Sequence, residues 1–197
     1  LQDHGVNITF VTYGNAKDLK YSDRIPGIHI LCNRWNLPNW LYERLLPWLH
    51  ASYLKSADVF KTNQTNGADI ALRAAKIWNK PLIARCGFMW SLNACRKYGK
   101  TSFHTQNARN VEDLVFRSAD LVIVTTAMMA SDIVQRIPEV RDRIDVIPNY
   151  VETDCFRPLV NSPRNYDVIF VGRLSMEKNL GALLDAVQSL LVNTAII

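Results

Sequence analysis

The chain is 197 residues long, with 48% hydrophobic and 21% charged residues, enough to bury a sizeable core as one large domain or one and a fraction. Lys plus Arg outnumber Asp plus Glu by 23 to 18; this net charge of +5 favours anionic small molecules or anionic lipid and falls short of the charge density of a dedicated nucleic-acid binder. Cys32, Cys86, Cys95 and Cys155 form no C-x-x-C pair, which argues against a zinc site or a disulfide framework, and no apolar run reaches ~18 residues, so neither a membrane-spanning helix nor a signal peptide is predicted.

The opening stretch from Leu1 to Thr12 reads as the tail of a helix, a glycine cap at Gly5 and a strand. Gly27 to Leu31 suggests a second strand and Ala57 to Thr62 a third. A helix is predicted from Ala68 to Trp78, a strand over Pro81 to Arg85, a helix over Val111 to Phe116 and a strand over Leu121 to Val124. A helix from Ala127 to Ile137 and a strand from Ile144 to Ile147 follow. Strands alternating with helices predict a doubly wound, mostly parallel α/β sheet of Rossmann-like type. We expect residues 1–150 to form this domain, 151–165 a linker rich in Pro, Asn and charge, and 166–197 the first strand and helix of a second domain. Both ends read as cut: a first strand with a glycine-rich loop is expected to precede Leu1, and Leu191 to Ile197 stop where a helix would hand over to a strand. The second-domain stub should be poorly anchored, with Leu183, Leu184, Val187 and Leu191 in need of a partner.

Open α/β sheets bind ligands at the carboxyl ends of their strands, which directs attention to three loops. In the first, Asn63, Thr65, Asn66 and Gly67 gather amides and hydroxyls able to hold a sugar or a nucleotide; a polar loop ending in a helix cap is the alternative. The second runs from Arg85 through Gly87 and Phe88 to Trp90 and combines a cation, a glycine and aromatics, suited to gripping a phosphate and stacking on a sugar. The third is Thr125–Thr126. Arg34 to His50 holds three of the five tryptophans beside two arginines. It reads either as a segment lying at a membrane interface or as a helix pair with its apolar side on the core. His4, His29, His50 and His104 show no ligand spacing, so no metal site is predicted.

The most informative stretch runs from Tyr166 to Val187. An apolar strand breaks at Gly172, Arg173 and Lys178 flank the turn, and Asn179 stands as N-cap before the amphipathic run Leu180, Leu183, Leu184 and Val187. Free N–H groups at such a helix start attract anions, Arg173 offers a planar fork and Lys178 a compact charge, a pairing suited to a diphosphate. Two solvated cations on a turn are the plainer alternative.

Upstream lies Ile147-Pro148-Asn149-Tyr150-Val151, then Phe156-Arg157-Pro158. This order resembles the crossing between domains of the family 4 retaining glycosyltransferases, Ile-Pro-Asn-Gly-Val-Asp-x-x-x-Phe-x-Pro followed by Val-Gly-Arg-Leu-x-x-x-Lys. Tyr150 stands where that family usually has glycine, and Cys86 where it often has histidine. Arg117 to Thr125 is similar to a late strand of its N-domain. The resemblance implies a glycosyltransferase-B architecture of two Rossmann-like domains. It also implies a retaining, metal-independent transfer from a nucleotide-sugar, UDP- or GDP-linked, to a glycan or lipid-linked acceptor, with no further cofactor. On that footing Arg173 and Lys178 are the catalytic candidates, Gly172, Arg173, Lys178 and Asn179 the donor-diphosphate group, and Asn63, Thr65, Asn66, Arg85, Gly87 and Trp90 the acceptor side. The glutamate pair that grips the donor in that family lies beyond Ile197, so this chain by itself is expected to be inactive. A cytoplasmic location is expected, with peripheral contact at the inner membrane face through Arg34 to His50. A non-catalytic phosphate- or membrane-associating α/β module is the other class of reading. An epimerase of similar fold would need additional acids and histidines.

Overall fold

The computed structural model describes residues 5–158, 163, 165–190 and 194–196, and every strand pair among them is parallel. The predicted helix tail before Gly5, parts of the linker (159–162 and 164) and Leu191 lie outside the described residues. The chain forms two compact units, Leu1–Tyr150 and Val151–Ile197.

In the first unit, β1 (Ile8–Asn15) and β2 (Ile28–Asn33) pair with each other, joined by a 3-10 segment at Ala16–Arg24. After α1 (Asn39–Leu49) and α2 (Ala51–Ser56) comes a four-stranded sheet in the order β3, β4, β5, β6. Its strands are β3 (Phe60–Lys61), β4 (Leu82–Cys86), β5 (Leu121–Val124) and β6 (Ile144–Val146), and the connections carry α3 (Ala68–Trp78), α4 (Trp90–Tyr98), α5 (Phe103–Ser118) and α6 (Ala127–Arg136). Parallel neighbours need crossovers of this length, and helices supply them. This is the Rossmann-like α/β arrangement that the alternation of elements predicts. The predicted single sheet is drawn as two ladders, because β1 and β3 share no backbone hydrogen bonds.

The third strand is shorter than predicted: Phe60 N–H reaches Pro81 O at 2.9 Å and Thr62 N–H reaches Ile83 O at 3.0 Å, and the partner strand offers nothing earlier. Several helical stretches exceed the prediction, among them α2, the 3-10 segment, α4 and the first half of α5. Gly99, at φ 87°, closes α4, and the Ser102 hydroxyl accepts the Thr105 N–H to start α5.

Alternation along β4 and β5 turns Leu82, Ala84, Cys86, Val122 and Val124 into a core shared with Leu72, Val115, Phe116 and Ile133 from the helices. A second cluster holds Tyr42, Leu46, Leu54, Ile70 and Ala74. Of the predicted helix pair, the tryptophan-rich segment forms one helix, α1, which buries Tyr42 and Leu46, while Trp35 before it and Trp40 and Trp48 on it face outward, at 44%, 67% and 54% exposure. Pro47 sits inside α1 without an N–H to give Glu43 O, and the Arg73 guanidinium donates to that carbonyl instead. Trp78 Nε1 in turn donates to Pro47 O at 3.1 Å.

The second unit is one βαβ step. β7 (Val168–Phe170) pairs with β8 (Thr194–Ile196), with a 3-10 turn at Met176–Lys178 and α7 (Leu180–Leu190) in the crossover. Leu180, Leu183 and Val187 are half-buried and Leu184 is exposed, so no side chain of α7 is fully buried.

His50 is 3% exposed, with its Nε2 2.8 Å from the Tyr42 hydroxyl, which also donates to Thr12 O at 3.3 Å. Burial, and then the Arg34 charge, hold its imidazole below the ordinary 6.5. The unfolded chain therefore takes up this proton at higher pH than the folded one, so stability is full above about pH 6.5 and declines as pH falls below it. Urea unfolding at pH 7.5 and pH 5.5 should show that decline in the wild type and a shallower one in His50→Gln. An identical slope in the variant would assign the effect to other groups.

Candidate functional site

Two groups of residues, one in each unit, carry the chemistry that the sequence suggests. The first gathers at the carboxyl ends of β3, β4 and β5. Thr62 ties the first two strands there: its hydroxyl accepts Arg85 N–H at 3.1 Å and donates to Arg85 O at 3.2 Å. Arg85 then reaches across the loop with its Nη1 on Asn63 O and Oδ1, at 3.3 and 3.0 Å, and its Nη2 on Asn149 Oδ1 at 2.7 Å. Gln64 Oε1 accepts Gly87 N–H at 3.1 Å, and a side chain at Gly87 would stand 2.9 Å from Gln64 Nε2. A β-carbon there would need only the far end of the flexible Gln64 side chain to shift. Asn63, Arg85 and Gly87 share one loop cluster, Asn66 is exposed on the same loop, and half-buried Trp90 opens α4 beside it. Gly67, at φ 78°, starts α3 and gives its carbonyl to the Tyr13 hydroxyl at 3.0 Å.

Thr65 is placed differently from the other acceptor-side candidates. It is 1% exposed and its hydroxyl turns inward toward Glu112 Oε1 at 3.5 Å, so it braces the loop from behind. Glu112, fully buried on α5, is the residue that sequence reasoning passed over. Its Oε1 accepts Ser91 N–H at 3.0 Å and its Oε2 accepts the Ser91 hydroxyl at 2.6 Å, capping the start of α4 from across the core. Arg136 Nη2 stands 3.6 Å from Oε2 and pairs through Nε with Asp113 Oδ1 at 3.2 Å. A charged residue at a core position of an α5 pattern set by Ala108, Val115 and Phe116 was the available signal.

Cys86 lies beside this carboxylate. Burial first, then the Glu112 charge, push its thiol up to about 12, and its Sγ donates to Phe88 O at 3.0 Å. It is a packed, unreactive thiol. The Thr125 hydroxyl donates to Gly87 O at 3.2 Å, binding the third loop to the second.

The second group lies in the second unit on the turn after β7. Arg173 O accepts Ser175 N–H and Ser175 O accepts Lys178 N–H, both at 3.0 Å, so the turn is wound tightly between the two cations. A side chain at Gly172 would press on the Phe170 ring at 3.3 Å and meet the Lys178 stem at an ordinary contact distance of 3.9 Å. Arg173 and Lys178 are both exposed, and neither meets a carboxylate among the described residues. Asn179 corrects the expectation of an ordinary N-cap. It adopts the left-handed conformation at φ 46°, its N–H is taken by Met176 O at 3.1 Å, and its carbonyl starts α7 by accepting Leu183 N–H.

Among the described residues no cluster of three or more His, Cys, Asp or Glu side chains has the spacing of a metal site, and no helix is long and apolar enough to cross a membrane. A hollow of about 360 Å³ lined by Leu72, Ala75, Pro81 and Asp120 lies at the opposite ends of the strands from the loop cluster.

The family model described as Glycosyltransferase Family 4 matches residues 1–155. No curated protein sequence matches the chain. Among solved structures, the chain is similar to the crystal structure of Arabidopsis thaliana UGT89C1 complexed with UDP-L-rhamnose, with a TM-score of 0.56 and 13% identity over 99% of this chain. The chain spans 58% of the length of that structure, and at this identity the likeness speaks to fold alone.

Two outcomes follow from this geometry. Glu112→Ala leaves Arg136 and Ser91 facing a buried void and should lower stability by about 3–5 kcal/mol, read from urea unfolding. In the native chain at pH 8, iodoacetamide should modify exposed Cys155 and spare Cys86, whose raised pKa and burial keep it a protonated thiol. Peptide mass mapping reads both sites, and early labelling of Cys86 would contradict the buried-thiol assignment.

Proposed function

The chain belongs to glycosyltransferase family 4, and from that premise we propose that its protein moves a sugar from a nucleotide-sugar donor to a glycan or lipid-linked acceptor, with retention and without a metal. The observation that carries this reading is the turn of the second unit, where exposed Arg173 precedes and exposed Lys178 ends a tightly wound 3-10 turn, neither meeting a carboxylate among the described residues. An anion of two phosphates suits such a pair. Arg173 supplies a bidentate fork and Lys178 a point charge.

The chemistry asks for charge stabilisation at the moment the glycosidic bond breaks. As the bond from the anomeric carbon to the diphosphate oxygen lengthens, negative charge collects on the departing phosphate. Fixed cations lower that barrier without reorganising. The acceptor hydroxyl then bonds to the same carbon and gives up its proton, for which the departing phosphate oxygen is a base of matching position under retention. In this reading the donor belongs to the second unit and the acceptor to the loop cluster of the first, where Asn63, Asn66 and Arg85 offer hydrogen bonds and Trp90 a ring. UDP and GDP sugars are the donor classes of choice.

One observation favours a second reading, a phosphate- or membrane-associating module: Trp35, Trp40 and Trp48 all face outward beside Arg34 and Arg44. The same surface could instead bring a transferase to a lipid-linked acceptor.

Calorimetric titration of the full-length protein with UDP, GDP and ADP sugars tests the main reading. One nucleotide class should bind, and Arg173→Ala and Lys178→Ala should each weaken it by about tenfold or more, as expected for loss of a charge-assisted contact to phosphate. Absence of binding to every nucleotide, together with tryptophan-dependent binding to anionic vesicles, would replace the transferase reading by the association module.

A further inference from the structure

Lys61 and Arg85 stand on neighbouring parallel strands of the first unit. Lys61 is in register with Ile83, and Arg85 follows Ile83 by two residues, so alternation places Lys61, Ile83 and Arg85 on one face of the sheet. Leu82, Ala84 and Cys86 occupy the other face, in the core. With strands about 4.8 Å apart and a rise of about 3.3 Å per residue, such diagonal neighbours lie on the order of 8 Å apart at the backbone, within reach of one another's long side chains.

Arg85 is held without being neutralised. Its three contacts, Asn63 O, Asn63 Oδ1 and Asn149 Oδ1, are all uncharged oxygens that orient the guanidinium and leave its charge intact. Lys61 is exposed beside it, and its ammonium is pushed below its ordinary value by burial and by the Arg85 charge. No carboxylate forms an ion pair with either cation among the described residues, whereas Arg117 pairs with Glu139 and Arg136 with Glu112 and Asp113. Two like charges held side by side cost free energy until an anion joins them, and a dianion matches both. A single carboxylate would leave one cation uncompensated.

We propose that Lys61 and Arg85 form an anion subsite that takes a phosphate monoester, and that this is the charged group of the acceptor. The second half of the statement rests on the acceptor-side reading of this unit. The phosphate chemistry rests on the two strands alone.

Titration of the full chain with inorganic phosphate, at constant ionic strength with sodium chloride as the reference, tests the subsite directly. Phosphate should raise the unfolding temperature and show saturable heat in the wild type and in Lys76→Gln, a substitution of an exposed lysine elsewhere in the unit. Lys61→Gln and Arg85→Gln should each weaken the response by about tenfold. A response that survives both substitutions, or that falls equally in Lys76→Gln, overturns the proposal. Two further arms separate the sources of the group: a hexose 6-phosphate in solution, and vesicles of phosphatidylcholine containing phosphatidic acid. Tighter binding of one, lost in the same two variants, identifies a soluble or a lipid acceptor, and failure of both arms to depend on Lys61 and Arg85 contradicts the acceptor role. If nucleotide-sugars do not bind but phosphate still follows Lys61 and Arg85, the donor reading fails and the subsite stands.

Discussion

A carboxylate sealed away from water must be matched by donors on every side, and Glu112 is matched by Ser91 twice, by Thr65 and by Arg136. Those partners come from the loop after β3, from the first turn of α4 and from α6, three segments far apart in sequence. Apolar packing alone sets how close the layers come and leaves them free to slide. The directional bonds to one buried charge remove that freedom. The loops carrying Asn63, Arg85 and Gly87 are therefore presented on a rigid base at the carboxyl ends of the strands, where open α/β sheets bind ligands.

Around that base the polar groups divide by role. Thr62, Gln64 and Thr125 spend their hydrogen bonds on stitching loop to loop. Cys86, locked by burial and by the neighbouring carboxylate, contributes packing and no nucleophile. Among the described residues Lys61 and Arg85 form no ion pair with a carboxylate, and neither do Arg173 and Lys178 in the other unit. Like charges held close, as Lys61 and Arg85 are on neighbouring strands, cost stability that an anionic ligand would relieve. Under the proposed transferase reading, the phosphates of a nucleotide-sugar and of its acceptor would supply such anions.

Much of the fold was legible in the chain. The helix from Ala68 to Trp78 was bounded by Gly67 and Asn79, both of which adopt left-handed conformations there. The strand Leu121–Val124 was an unbroken apolar run. What stayed hidden has physical causes. The helix α4 starts from a polar group 21 residues away, since Ser91 is capped by Glu112 and no local residue announces it. The left-handed turn at Asn179 is a choice made by the preceding 3-10 winding, which residue type alone did not reveal. Thr65 reads as a ligand-facing hydroxyl from composition and turns out to face the core, because which side of a loop a residue takes depends on the buried partner awaiting it. Glu112 could have been suspected from a charge at an apolar helical position, a local conflict of the kind that marks structural or functional pressure.

The account turns on one claim, that a single buried carboxylate holds the loops at the carboxyl ends of β3 and β4 in place. Amide hydrogen exchange, residue by residue, in the wild type and in Glu112→Gln tests it most directly, since the amide keeps the shape and removes the charge. The account predicts accelerated exchange at Ser91, the adjoining first turn of α4 and residues 63–70, with Val122 to Val124 in β5 unchanged. Uniform acceleration across the unit, or no change at Ser91, would contradict it and reduce Glu112 to one core contact among many.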